Sequence, residues 1–547
     1  MPKLDSTELV IGDAPQFFFD NGMVAAVFNV TRTVHSPQKA DANPVIQSDQ
    51  SWEHVTYFSN AGWQLWHDVG TGRTHCLYED WNLDRDTLVS GKGGTIHAWA
   101  NARSRYLYAY SDDGVTWVKP PMGRFSENGC DTNIVFGSEE YGSVHSLGLM
   151  EDPWDVDERR FKSLYFHIPP SDHEVGGGMV AVATSPDGIN WTSQDVPPVV
   201  GTKRAHLDDV AQLVVDPETR GYLAFTRHPS MCAAPDHFGM PPLGWTGGTP
   251  TYDQVEDAPG GRNRRRIFLS ESSDFQHWSQ PRLILAPDPE IDNFDTSFYG
   301  MEPYRVGSEW LGFMSVFSAV SNTMHVELTH SRDGRQWRRV APGKPWLQPG
   351  PLGSWDQFMV NVSSPPVDVG TDELRVYFGG SKNHHDWWFS GPTENHDDPS
   401  RWDDAPEVAD MAEVGYHLGL ASLRRDGFVS LDTALNREGV VVTEPFVSEG
   451  DRLTINARCQ PGGYIRVEVT DAHNRAIPGV STATCDVFTG DVVDHLVTWQ
   501  GRPDVPLAVD EAAPDPRRPG SPHRRLRFTM RGAELYSFQM HSADSAV

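Results

Sequence analysis

Hydrophobic and polar residues alternate in short runs along most of this chain, and each run reads as a half-buried β-strand. Between residues 50 and 430 the runs fall into five similar groups. The first group holds runs at 53–58, 63–66 and 106–110, and the second opens at 144–149 and continues at 161–166. The third opens at 208–215 and returns through 222–225. The fourth opens near Tyr299 and returns through 310–313, and the fifth opens after 355–357 and returns through 374–378. No stretch has the 3.6-residue period of a helix for more than a turn or two.

A short phrase punctuates the groups: Ser, any residue, Asp, Gly, two residues, Trp. It stands at Ser111–Trp117, Ser185–Trp191 and Ser331–Trp337, and at Ser272–Trp278 with Phe275 in place of the Gly. A worn fifth copy is Arg425-Asp426-Gly427-Phe428. The phrase predicts a tight turn between antiparallel strands. Asp bonds backbone two residues on, Gly takes the positive φ, and Trp starts the next strand and packs under the turn. The copies recur at intervals of roughly 60–95 residues, the span of a decorated four-stranded sheet. The expected fold is all-β: a five-bladed β-propeller over residues 50–432, followed by a C-terminal β-sandwich over 433–547. Residues 1–49 are expected to supply a strand and a loop, with the run Phe17-Phe18-Phe19 as a leading strand that closes the ring. From about residue 436 the turn phrase stops and clean alternation continues at 453–457, 464–469, 496–499, 524–530 and 534–538. That sandwich carries no cluster of acids or histidines and reads as structural. Two insertions, 229–263 and 386–412, are expected on one rim, shaping the mouth of the central funnel.

A net charge of −30 argues against nucleic acid and anionic membrane surfaces as partners. No apolar run approaches the length of a membrane span, and the N-terminus lacks a basic region followed by an apolar core. Five widely scattered cysteines give no disulfide framework, although Cys459 and Cys485 share the C-terminal segment. A cytoplasmic location is therefore expected. The 18 Trp, 25 Phe and 15 Tyr supply faces for sugar rings as well as blade cores, so a small carbohydrate is the expected substrate. The sequence leaves homo-oligomerisation open.

Chemistry is sought at the starts of the innermost strands, which in a propeller point into one funnel. These positions hold Glu53, the doublet Asp208-Asp209 preceded by Lys203, Arg204 and His206, then Asp295 with Tyr299 and Glu302, and Asp356. His145 lies in the second opening strand, and Arg227, Lys382, His384 and His385 follow second strands. Converging acids raise one another's pKa, so that a neutral acid and an ionised base coexist. Glycoside hydrolysis uses that pair. Asp208 is assigned as nucleophile or base, Glu302 as general acid, and Glu53 or Asp295 as a holder of sugar hydroxyls. Asp209, His206, His145, Tyr299, Asp356, Arg227, Lys382, His384 and His385 are assigned to substrate binding. No cofactor is expected, and the histidines are read as substrate contacts rather than metal ligands.

These residues resemble the furanosidase-type propeller hydrolases of glycoside hydrolase families 32, 43 and 68, with five blades, three funnel carboxylates and, among invertases, a C-terminal sandwich. The likeness is architectural. The invertase opening Asn-Asp-Pro-Asn-Gly, the Arg-Asp-Pro triplet and the Glu-Cys pair are absent; Glu151-Asp152-Pro153, Leu207-Asp208-Asp209 and Met301-Glu302-Pro303 are the nearest segments. The resemblance implies an exo-acting hydrolase of a small fructosyl or arabinosyl glycoside. A transferase or phosphorylase using Lys203, Arg204, Arg227 and Lys382 for phosphate is the alternative. A non-catalytic sugar-binding propeller is the third reading.

Overall fold

The computed structural model describes residues 9–56, 62–82, 103–138, 140–169, 179–194, 198–200, 203–204, 211–227, 265–293, 295–318, 320–321, 323–384, 416–506 and 523–543. These residues are all-β; their one helical piece is a three-residue 3-10 turn at Asp157–Arg159.

Five antiparallel units follow one another. In the first, Val55–Thr56 and Trp63–Asp68 lie along Arg73–Asn82, which pairs with Arg103–Ser111 and then Ile134–Phe136. The second runs Ser143–Glu151, Phe161–Ile168, Met179–Ser185, Thr192–Ser193. The third runs Ala211–Val215, Tyr222–Thr226, Ile267–Ser272, with His277–Trp278 and Arg282–Leu285 on its outer edge. The fourth runs Thr296–Val306, Glu309–Ser318, Thr323–Ser331, Arg338–Arg339. In the fifth, Met359–Asn361 and Val367–Asp368 pair with Glu373–Ser381, then His417–Arg424, and the last strand is Gln38–Lys39 from the N-terminus.

The innermost strands join one unit to the next. Gln64 of the first unit donates to the Ser363 carbonyl of the fifth (3.0 Å) and accepts from the Leu149 amide of the second (3.0 Å). Gly148 of the second lies so close to the Ala211 carbonyl of the third that an added Cβ would sit 2.0 Å from it. Gln212 of the third hydrogen-bonds Glu302 of the fourth. A parallel bridge, Met324 to Met359, joins the fourth to the fifth.

The turn phrase does what its chemistry demands. In each intact copy one Asp oxygen accepts two successive amides, as Asp113 does from Val115 (2.8 Å) and Thr116 (2.6 Å). Gly114, Gly188 and Gly334 have φ of 79°, 76° and 68°. Each turn also docks on the preceding unit. Trp117 meets Tyr377 of the fifth unit edge-on at 5.8 Å, Trp191 stacks over Phe136 of the first, and Trp337 meets Phe225 of the third. Phe275 clusters with Met150 and Leu164 of the second, and Phe428 packs on Tyr304 and Phe313 of the fourth.

An eight-stranded sheet completes the molecule. It contains the long strands Arg452–Asp471 and Arg524–His541 and also takes in Gln16–Phe17, Val24–Phe28 and Thr31–Val34 from the N-terminal segment. Period-two alternation explains the joint. Phe18 enters the core of this sheet with Phe538 and Phe446, while Phe17 and Phe19 enter the core shared by the fourth and fifth units. Cys459 and Cys485 are both free thiols.

Candidate active site

In each unit the first strand begins, the second ends and the third begins at the same end of the sheet.

At the junction of the first two units lies an acid that the strand-start rule misses. Glu79, fully buried, accepts from Trp81 Nε1 (2.7 Å), Ser104 Oγ (2.7 Å), Tyr106 Oη (3.1 Å) and the Ser146 amide (3.1 Å). Its Oε1 also lies 2.6 Å from His145 Nδ1, and His145 Nε2 lies 3.0 Å from Ser146 Oγ. Ser146 holds this position with φ 50°, beside an irregularity in the pairing of its strand. The one signal for Glu79 in the sequence is an acidic pair, Glu79-Asp80, closing an otherwise apolar run.

At the junction of the third and fourth units, Tyr299 lies between two guanidinium groups. Arg227 is 4.3 Å and Arg265 4.7 Å from its ring centroid, and Phe317 meets the ring edge-on at 6.0 Å. Cation–π attraction fixes both arginines over a buried ring. Tyr299 and Arg227 are thus two assigned binding residues that the fold brings together.

Glu302 stands three residues further along the same innermost strand, 6% exposed. Burial pushes its carboxyl well above the usual carboxylate range, and the hydrogen bond from Gln212 offsets this in part. Burial thus favours the neutral form of the Glu302 carboxyl.

The other assigned acids have structural partners. Glu53 is buried against Lys119 (2.7 Å), receives the Tyr78 hydroxyl, and caps the amides of Asp49 (2.7 Å) and Gln50 (3.0 Å). Asp295 accepts from Ser318 Oγ (2.5 Å) and the Val320 amide (2.9 Å), tying the end of the second strand of the fourth unit to the start of the first. Asp356, buried, pairs with Lys39 of the N-terminal strand and accepts from Ser354 Oγ (2.9 Å). His384 stacks on Phe358 at 3.8 Å, and the Lys382 carbonyl accepts from Gln357 Nε2 (2.8 Å). Nearby His417 is held neutral: burial, with Lys382 and Lys119 close by, pushes its pKa down to about 4. Asp208, Asp209, His206 and His385 lie outside the described residues. Among the described residues no three His, Cys, Asp or Glu side chains are placed to hold a metal ion, and no helix is long and apolar enough to cross a membrane.

No protein-family profile matches the chain. Over 309 residues, 49% of this chain, it is 24% identical to an A type blood N-acetyl-alpha-D-galactosamine deacetylase of Flavonifractor plautii. The match spans about a third (34%) of that relative's length. Among solved structures, a beta-1,2-mannobiose phosphorylase from Listeria innocua aligns with TM-score 0.42 and 11% identity, over 73% of this chain and 97% of its own. An N-acetylgalactosamine deacetylase from F. plautii in complex with blood group B trisaccharide aligns with TM-score 0.39 and 14% identity, over 72% and 96%. A glycosyl hydrolase from Bacteroides ovatus aligns with TM-score 0.40 and 13% identity, over 72% and 94%.

Proposed function

We propose that this chain is a carbohydrate-active enzyme, a glycoside hydrolase built on a five-bladed propeller with a C-terminal sandwich. The propeller reading is supported by the innermost-strand contacts from the fifth unit through the first, second and third to the fourth, by the bridge from the third strand of the fourth unit to the fifth, and by the docking of each turn on the preceding unit. The observation that carries the chemistry is Glu302, a carboxyl buried on an innermost strand, where burial favours its neutral form. A general acid must hold its proton at working pH and pass it to the leaving oxygen in the transition state. In this reading Glu302 donates that proton and Asp208 serves as nucleophile or base. Tyr299 with its two arginines, and His145 held by Glu79, line the approach and contact the sugar. Glu53 and Asp356, each committed to a lysine partner, hold the fold and not the substrate in this reading. The substrate class in this proposal is a small fructosyl or arabinosyl glycoside cleaved from its end. The likeness in sequence to a deacetylase named for a sugar substrate supports carbohydrate as the substrate class in general.

Two cations over one tyrosine, in a chain of net charge −30, favour a second reading. Arg227 and Arg265 would bind phosphate as the attacking group of a phosphorylase. One experiment separates the readings. Turnover of a panel of aryl furanosides and pyranosides is measured with and without inorganic phosphate, for the native enzyme and Glu302→Gln. The hydrolase reading expects phosphate-independent turnover that falls by about 10²–10⁴ in the variant. Native turnover in Glu302→Gln removes Glu302 from the mechanism, and no turnover on any glycoside overturns the function.

A further inference from the structure

The opposite end of the sheets carries a cavity of about 580 Å³, between the second and third units. It is built from the connections that leave that end: the loop after Ser143–Glu151, the loop after Ala211–Val215, and the turn Ser272–Trp278. Trp154 projects into it, 46% exposed, in a chain whose other turn-associated tryptophans pack inward.

The platform is fixed from below. Buried Asp152 accepts from the Trp154 amide (3.0 Å) and from Tyr222 Oη of the third unit (2.8 Å), and pairs with Lys162 (3.2 Å). The Arg220 guanidinium lies 5.8 Å from the Trp154 ring centroid, and among the described residues no carboxylate pairs with it. The remaining charges cancel locally. Asp155 pairs with Arg159 (2.8 Å) and Lys162 (2.6 Å), and Asp274 is saturated by the amides of Gln276 and His277 and by His277 Nδ1.

We infer that this cavity is a non-catalytic binding site for a neutral carbohydrate chain. An exposed indole stacks on the C–H face of a sugar ring, and the hydrogen bond to Asp152 fixes the backbone that carries it. Its rim offers guanidinium and amide donors beside carboxylate acceptors, the mixture that hydroxyls satisfy in both directions. An anionic ligand would gain Arg220 alone and meet the carboxylates of Asp155 and Asp274 in the same cavity. An apolar one would leave the Arg220 guanidinium desolvated without a carboxylate partner. The choice of ligand class leans on the carbohydrate reading above, but the site itself does not depend on Glu302.

Affinity gel electrophoresis in arabinan, inulin and mannan, with pectate as the charged control, tests this. The native protein is expected to be retarded by at least one neutral polymer. Trp154→Ala should weaken that retardation about tenfold and Arg220→Gln should also reduce it, both without altering turnover of a small soluble glycoside. Glu302→Gln should retain full retardation, so failure of the catalytic reading and failure of this one are distinguishable. Retardation by pectate alone, by no polymer, or equally in native and both variants overturns the assignment.

Discussion

Glu302 ties chemistry to stability at a single carboxyl. Its folded-state pKa is raised above the unfolded value, so below the unfolded pKa both states are protonated and the native fold has its full advantage. As pH rises the unfolded chain ionises while the buried carboxyl does not, and stability falls until the folded pKa is passed. Glutamine cannot ionise. Glu302→Gln is therefore expected to melt close to the native protein at pH 4 and progressively higher than it toward pH 8. Parallel melting curves across that range would show that Glu302 is not held neutral. Glu302 was legible in the sequence as an acid in an opening strand. Glu53 shows the limit of that rule: its neutralising cation, Lys119, stands 66 residues further on, and nothing local announces the pair. Glu79 escaped because it lies on a second strand, where alternation marks a position as buried but does not say that three strands aim donors at it.

Among the turns, the copy that lost its glycine is the most informative element. Phe275 sits at φ 65°, a conformation that costs a residue with a side chain roughly 1–2 kcal/mol. Its ring is buried with Met150 and Leu164, and removing a buried phenylalanine costs roughly 3–5 kcal/mol. Burial wins. Phe275→Gly, which restores the phrase, should lower stability by about 2 kcal/mol in denaturant unfolding; a gain would mean that strain dominates. Gly334→Ala meets the opposite balance. An added Cβ would stand 3.2 Å from the Trp310 ring at φ 68°, so a loss of about 1–2 kcal/mol is expected with nothing gained. Unchanged stability would argue against the close contact. The turn was legible because its chemistry is local. Its docking partner was not, since Tyr377 reaches the Gly114 carbonyl from 263 residues away.

At the scale of the whole molecule, the fifth unit borrows its outer strand from the N-terminal segment. Ala421 pairs with Lys39 and Ser422 with Gln38, and the Lys39 ammonium neutralises buried Asp356. Removing Lys39 leaves the buried Asp356 carboxylate without its counter-ion, at a cost of about 1–3 kcal/mol. Lys39→Met should lower Tm and speed amide exchange in Gln38–Lys39 and His417–Arg424 before other strands; exchange that rises uniformly would show that this strand does not secure the unit. A ring-closing strand was expected at the three phenylalanines; in the structure they are divided between two cores, and it is Gln38–Lys39 that pairs with the fifth unit.

That borrowed strand also sets an order of events during synthesis. The Asn43 side chain accepts the amide of Leu420, 377 positions further on, so a segment made among the first must wait for one made among the last. Until then a growing polypeptide exposes the bare backbone of His417–Arg424 or of its absent mate, and premature release would leave a sticky, unfinished circle prone to pair with strangers.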